Sequence, residues 1–193
     1  DMEFAHLKLR EMILQAIPLR ARVYSAPLIV DTWGFGTHVN QDLVSKVADT
    51  AKELELEVLT IDKGWEKIVG EWQPGPHFHD GMLGLSEITS RSGTRLGLWA
   101  SLGNADPSSR VAIEHPDWIA TWRGKVQVVS HRTSSLCMGH GPVIEYLAAQ
   151  LAHLANNGLT WLLHDFETIS RCDSELHDHP QGLGEDWAVR GWY

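Results

Sequence analysis

Val58-Leu59-Thr60-Ile61-Asp62-Lys63-Gly64-Trp65 decides the fold. An unbroken run of apolar and β-branched residues reads as a strand buried on both faces, and it stops at a carboxylate, a glycine and an indole. The same pattern recurs along the chain. Pro27-Leu28-Ile29-Val30 reads as a short buried strand and runs into Asp31-Thr32-Trp33-Gly34. Leu96-Gly97-Leu98 ends at Trp99, and Trp161-Leu162-Leu163 ends at Asp165, with Glu167 two residues on.

Helical patterns separate these strands. Asn40 is placed to cap a helix whose apolar face is Leu43, Val44, Val47, Ala48, Ala51 and Leu54. Met82, Leu85 and Ile88 mark a second before Gly93. Gly141-Pro142 opens a third on Val143, Tyr146, Leu147, Leu151 and Leu154, and Gly158 closes it. Ahead of the first strand, Leu9, Met12, Ile13, Ala16 and Ile17 recur at helical spacing until Pro18, which predicts an N-terminal helix over about residues 2–17.

This alternation predicts an α/β fold with a parallel sheet covered by helices, and two architectures fit it: a doubly wound sheet and a (β/α)8 barrel. Gly34-Phe35-Gly36 in the first βα turn lacks the rest of the dinucleotide fingerprint, and no Walker-type phosphate loop is found. Each strand ends instead in a Trp, a carboxylate or both, and in a barrel those ends converge on one pocket. A full barrel takes eight strands and about 250 residues. This chain of 193 residues offers four clear strands, so the expectation is a TIM-barrel type with the first four βα units, a half barrel, as a single domain over residues 1–193.

Composition narrows the function. The net charge is −9, from 16 Lys+Arg against 25 Asp+Glu, and with no basic run nucleic acid is not an expected partner. No stretch approaches the roughly 18 apolar residues of a membrane span. Asp1-Met2-Glu3 is not a signal-peptide start, so no membrane partner and a cytoplasmic setting are expected. Cys137 and Cys172 lack metal-ligand spacing and read as two free thiols. His77 with His79, and His177 with His179, are spaced to clip a metal, but neither pair has an obvious third ligand, and all four read as surface-loop histidines. No metal and no cofactor are expected. His115-Pro116-Asp117-Trp118 reads as structural, Pro116 fixing a turn after a helix and Trp118 packing behind the third strand. The 9 Trp suit either core filling or platforms for a flat-faced sugar, and the placement of several at strand ends favours platforms.

The segments 27–34, Ile61-Asp62-Lys63-Gly64-Trp65, Gly70-Glu71-Trp72, Gly97-Leu98-Trp99, His115-Pro116-Asp117-Trp118 and Leu162-Leu163-His164-Asp165 stand in an order and spacing that resembles the catalytic barrel of melibiase-type α-galactosidases. The resemblance spans roughly residues 20–193 and implies a retaining glycoside hydrolase acting on an oligosaccharide or glycoside. It implies that Asp165 is the nucleophile, that Asp62 grips sugar hydroxyls, that Arg132 reaches the sugar from the loop before the fourth strand, and that Trp33, Trp65 and Trp99 wall the pocket. The chain also departs from the pattern. Lys63 replaces a second Asp, Leu163 stands where the family has a hydroxyl-binding Lys, Glu167 stands in place of an Asn, and Ser101 in place of a Glu. Each change removes or inverts a polar partner, so a sugar other than galactose is compatible with the site.

Retaining chemistry needs two carboxyl groups about 5–5.5 Å apart. Glu167 is the nearest candidate partner for Asp165, but residues at i and i+2 of one strand end point the same way. The resemblance places the acid/base on a later strand. The alternative to an enzyme is a non-catalytic carbohydrate-binding or scaffold module that kept the pocket. An opened barrel also leaves two strand edges unpaired, near Leu28-Ile29-Val30 and Leu162-Leu163, which predicts a homo-oligomer.

Overall fold

The computed structural model describes residues 27–129, 132–166 and 170–180. The helix expected at about residues 2–17 and Glu167 lie outside the described residues.

A parallel sheet of four strands forms the centre: β1 (Ile29–Asp31), β2 (Val58–Ile61), β5 (Arg95–Ala100) and β10 (Leu159–His164), in the order β1-β2-β5-β10. The register runs Ile29 beside Val58, Val58 beside Arg95, and Leu163 beside Trp99. The strands are ordered as in the chain, without the reversal that marks a doubly wound sheet. Three helices connect them: α1 (Gln41–Glu53), α2 (Gly81–Ser92) and α4 (Gly141–Asn156), with a short α3 (Arg110–Glu114) in between.

Local chemistry explains the boundaries. Asn40 Oδ1 accepts from the Leu43 amide at 2.9 Å, which starts α1, and Val44, Val47, Ala48 and Ala51 turn inward from it. Leu54, expected on that face, falls at the C-cap and is 62% exposed. Gly93 takes a left-handed φ of 76° after α2, and a proline in the first turn opens α4. All four residues of β2 are buried, as their composition requires. β1 departs from the expectation of a buried strand: among the described residues it pairs only with β2, and Leu28 and Ile29 are exposed.

Short antiparallel pieces lengthen the loops at the strand tops. β3 (Glu66–Ile68) and β4 (Glu71–Pro74) form a hairpin after Trp65, and β7 (Thr121–Trp122) pairs with β8 (Lys125–Val126). β6 (Asn104–Ala105) pairs with β9 (Ser134–Ser135). The expected turn at Pro116 is a 3-10 turn, Pro116–Trp118, and Trp118 stacks on His115 at 3.8 Å and tilts against Tyr146 of α4.

The core is continuous from α1 to α4 and includes Leu59, Ile61, Leu85, Leu98, Leu147 and Leu154 with three indoles, Trp65, Trp72 and Trp99. Glycine matters at two positions. Gly64 has φ of 111°, and a Cβ there would sit 2.5 Å from the Thr37 carbonyl oxygen. A Cβ on Gly97 would meet Thr60 Oγ1 at 2.7 Å, so the close approach of β5 to β2 requires its absence. Among the described residues no helix is long and apolar enough to cross a membrane.

Candidate functional site at the strand ends

The carboxyl ends of the four parallel strands bring Asp31, Asp62, Trp99 and Asp165 to one edge of the sheet. One hydrogen bond closes the turn at the end of β1, and a second ties that turn to the top of β2. Asp31 Oδ1 accepts from the Trp33 amide at 2.7 Å, and the Asp62 amide donates to Thr32 Oγ1 at 2.9 Å. Asp62 is buried and its Oδ1 accepts from the Lys63 amide at 2.5 Å. Burial first, then the neighbouring Asp31 and Asp165 carboxyls, push Asp62 from 3.8 up to about 6. Asp62 thus loses its proton less readily than an ordinary carboxyl.

Asp165 continues the ladder past β10, its amide donating to the Ala100 carbonyl at 3.0 Å. Both of its oxygens are engaged: Oδ2 accepts from Trp99 Nε1 at 3.2 Å and Oδ1 from the Phe166 amide at 2.8 Å. These two donors fix the carboxylate while the residue stays solvent-exposed.

The aromatic residues divide by depth. Trp33 stands open, 56% exposed. Trp65, expected as a pocket wall, is fully buried, and its Nε1 donates to the Trp99 carbonyl at 2.7 Å; it supports the site from below. Trp99 is 1% exposed because Phe166 lies edge-on to it at 6.3 Å and Trp72 flanks it at 6.1 Å. Lys63 aims its ammonium at the same rings, 5.5 Å from Trp99 and 5.7 Å from Phe166. The resulting cleft, lined by Lys63, Trp99, Ser101, Asn104 and Phe166 among others, has room for little more than one water molecule.

Arg132 is exposed, with a left-handed φ of 65°, on the turn before β9. Leu163 is half-buried beside Trp99 in the sheet. Two residues outside the sequence expectation belong to the site. Asp31, visible at a strand end but not assigned a role, is a direct neighbour of Asp62. Asn104 Nδ2 donates to the Phe166 carbonyl at 3.0 Å and to Ser101 Oγ, fastening the segment after Asp165; no spacing in the sequence announces that contact.

The histidine expectation needs correction. His77 and His79 are exposed, but His177 and His179 are 7% and 4% exposed, and they meet Cys137 and Cys172 in a buried group. The additional ligating atoms thus come from residues remote in sequence, which pair spacing cannot reveal. Both cysteines are free thiols, as expected, but they are neighbours. Cys172 Sγ also lies 3.1 Å from His177 Nδ1.

The Melibiase family profile matches residues 4–176. Among curated proteins, a probable alpha-galactosidase G of Emericella nidulans is 26% identical over 179 residues, covering 82% of this chain and 25% of the relative. Alpha-galactosidase 2 of Pediococcus pentosaceus is 25% identical over 149 residues, 72% of this chain and 21% of its own length. The chain thus spans about a quarter of the length of these relatives. Among solved structures, the alpha-galactosidase TtGalA of Thermus thermophilus, in complex with p-nitrophenyl alpha-D-galactopyranoside, superposes with a TM-score of 0.67 at 28% identity over 72% of this chain and 30% of its own. The GH36 alpha-galactosidase AgaA of Geobacillus stearothermophilus, bound to raffinose, gives a TM-score of 0.74 at 20% identity over 87% of this chain and 25% of its own. A family match over nine-tenths of the sequence, falling on strand ends that carry Asp62, Trp99 and Asp165, places this chain in the Melibiase family of α-galactosidase-like proteins.

Proposed function

We propose that this chain forms the first four βα units of a (β/α)8 barrel and carries the nucleophile of a retaining glycosidase acting on α-galactosides or related α-linked sugars. The observation that supports this reading most is the anchoring of Asp165: a carboxylate at the end of the fourth parallel strand, held on both oxygens by Trp99 Nε1 and the Phe166 amide yet open to solvent.

In this reading Asp165 attacks the anomeric carbon. The bond from carbon to the glycosidic oxygen breaks, and that oxygen takes a proton from an acid on a later strand of the barrel; water then releases the sugar from Asp165. Asp62 receives sugar hydroxyls, whose donation offsets the burial and repulsion that raise its proton affinity. Trp33 supplies an open apolar face, and Arg132 and Glu167 are further candidates for sugar contact. Lys63 and Phe166 take over part of the sugar cleft, and this departure directs the site away from a plain galactose fit. Sugar binding requires Phe166 to swing off Trp99, because the cleft beneath it holds only about a water.

The small cleft also favours a second reading, a carbohydrate-binding module without turnover. Hydrolysis of p-nitrophenyl α-galactopyranoside and α-glucopyranoside separates the two. Release of nitrophenol that is lost in Asp165→Ala supports the enzyme. Binding seen as a Trp fluorescence change, with no release even when the chain is joined to the later strands that supply the acid, supports the module, and turnover that survives Asp165→Ala refutes the nucleophile. The exposed edge at β1 and the half-buried edge at β10 suit a homo-oligomer, for which sedimentation at micromolar concentration is the measurement.

A further inference from the structure

Away from the strand-end carboxylates, Cys137, Cys172, His177 and His179 are all buried, and one ligating atom from each lies within 4.8 Å of all the others. Three separate stretches of chain supply them: the turn between β9 and α4, the segment after β10, and the bend that follows it.

The hydrogen bonds around the group orient every donor toward its centre. His177 places Nε2 on the Asp117 carbonyl oxygen, so Nε2 carries the proton and the Nδ1 lone pair faces Cys172 Sγ at 3.1 Å. His179 directs Nδ1 at the Pro180 carbonyl oxygen at 3.3 Å, which leaves Nε2 unprotonated. That nitrogen is fully buried and has no hydrogen-bond partner, the kind of orphan a buried polar atom does not tolerate without a reason. A histidine that gives one ring N–H to a backbone carbonyl and turns the other nitrogen to a metal is the usual arrangement of a ligand imidazole. Both cysteines are buried free thiols, and Cys172 Sγ already lies within 3.1 Å of His177 Nδ1. The His140 ring stacks on His177 at 4.6 Å and closes the group from one side.

We infer that Cys137, Cys172, His177 and His179 form a tetrahedral site for one zinc(II) ion. Two thiolates and two neutral imidazoles are a donor set for structural zinc, with bonds of about 2.3 Å to sulfur and 2.0–2.1 Å to nitrogen. Those lengths set the ligand atoms about 3.3–3.8 Å apart at the corners of a tetrahedron. The observed spread of up to 4.8 Å closes to that by inward side-chain shifts of about an ångström. On binding, the sulfhydryl protons pass to solvent and both histidines stay neutral. All four positions are taken by protein, so the ion does not touch substrate. It ties the segment following Asp165 to the start of α4 and, through His177, to the Asp117 carbonyl. It thereby fixes the far end of the loop on which the candidate nucleophile sits.

The test uses the protein without an affinity tag, purified without chelator. Elemental analysis is expected to find one zinc per chain. After removal with a chelator, addition of cobalt(II) alone is expected to give intense visible bands and a near-ultraviolet thiolate charge-transfer band, the signature of a tetrahedral site with sulfur ligands. Cys172→Ser and His179→Ala are expected to lose stoichiometric metal. The cobalt spectrum of the unaltered protein decides the matter even where a variant fails to fold. The proposal is overturned by reduced protein that takes up neither metal, by weak octahedral cobalt spectra, or by a disulfide between Cys137 and Cys172 in the protein as isolated. None of these outcomes bears on glycoside hydrolysis, so the site stands or falls separately from the proposed activity.

Discussion

Two groups of polar residues gather around this sheet by different means. The first, Asp31, Asp62 and Asp165 with Trp99, stands at the ends of consecutive parallel strands, where the fold itself collects whatever each strand carries at its carboxyl end. The second, Cys137, Cys172, His177 and His179, is collected by loops that cross one another, with the whole of α4 and β10 lying between its cysteines. The first group is partly open, Asp31 and Asp165 being exposed and Asp62 and Trp99 buried, and burial with neighbouring carboxyls raises Asp62; the second is buried throughout. In the proposed reading the strand-end group exchanges ligands and the Cys/His group keeps one. The two should therefore fail differently when damaged, chemistry being lost at the first and stability at the second.

The largest expected effect is at the first group. Asp165→Asn should lower kcat for an activated α-glycoside by about 10⁶-fold, the scale on which loss of a catalytic nucleophile registers, while the melting temperature hardly moves. Removing metal from the second group should do the reverse. With free zinc at about 1,000 times its Kd, occupancy contributes about 4 kcal/mol, so a chelator should lower the melting temperature of the unaltered protein by several degrees and that of Cys172→Ser far less.

Trp99→Phe keeps a ring in the core but removes the donor to Asp165 Oδ2, whose 3.2 Å hydrogen bond goes to a charged group. A loss of about 1.5–3 kcal/mol in transition-state stabilisation, or roughly 10–150-fold in kcat/KM, is expected. Asp62→Asn should give the smallest change, visible in pH dependence. The folded chain holds a proton on Asp62 up to about pH 6, whereas the ordinary carboxyl releases it near 3.8. That proton favours the folded state below the lower value, and the benefit is lost as pH rises through the upper one. The asparagine variant should accordingly match the unaltered protein near pH 4 in denaturant melts, exceed it by on the order of 1 kcal/mol at pH 7, and bind sugar less well.

The strand ends were legible in the sequence because a period of strand, turn and helix repeats, and each repeat stops on a chemically distinctive residue. Asp62, Trp99 and Asp165 could be placed on one edge from pattern alone. Depth was not legible. Trp65 and Trp33 end their strands in the same way, yet Trp65 is sealed beneath Trp99 while Trp33 stands open, because the β3–β4 hairpin follows Trp65 and a short 3-10 turn follows β1. Pairing across loops was not legible either. Nothing in the spacing of His177 and His179 names Cys137, which reaches them through β9 and the turn before α4. The spacing of Asn104 and Phe166 was equally silent, since their contact depends on how the segment after Asp165 folds back.

Asp165 is the residue on which the proposed hydrolysis turns. Treatment of the intact protein with a fluorinated α-galactosyl fluoride, followed by peptide mapping, reads it directly. The account predicts a single covalent sugar adduct on the peptide containing Asp165, absent from Asp165→Ala. An adduct on another carboxylate, one that persists in the variant, or hydrolysis of α-galactosides with no adduct at Asp165 would contradict it.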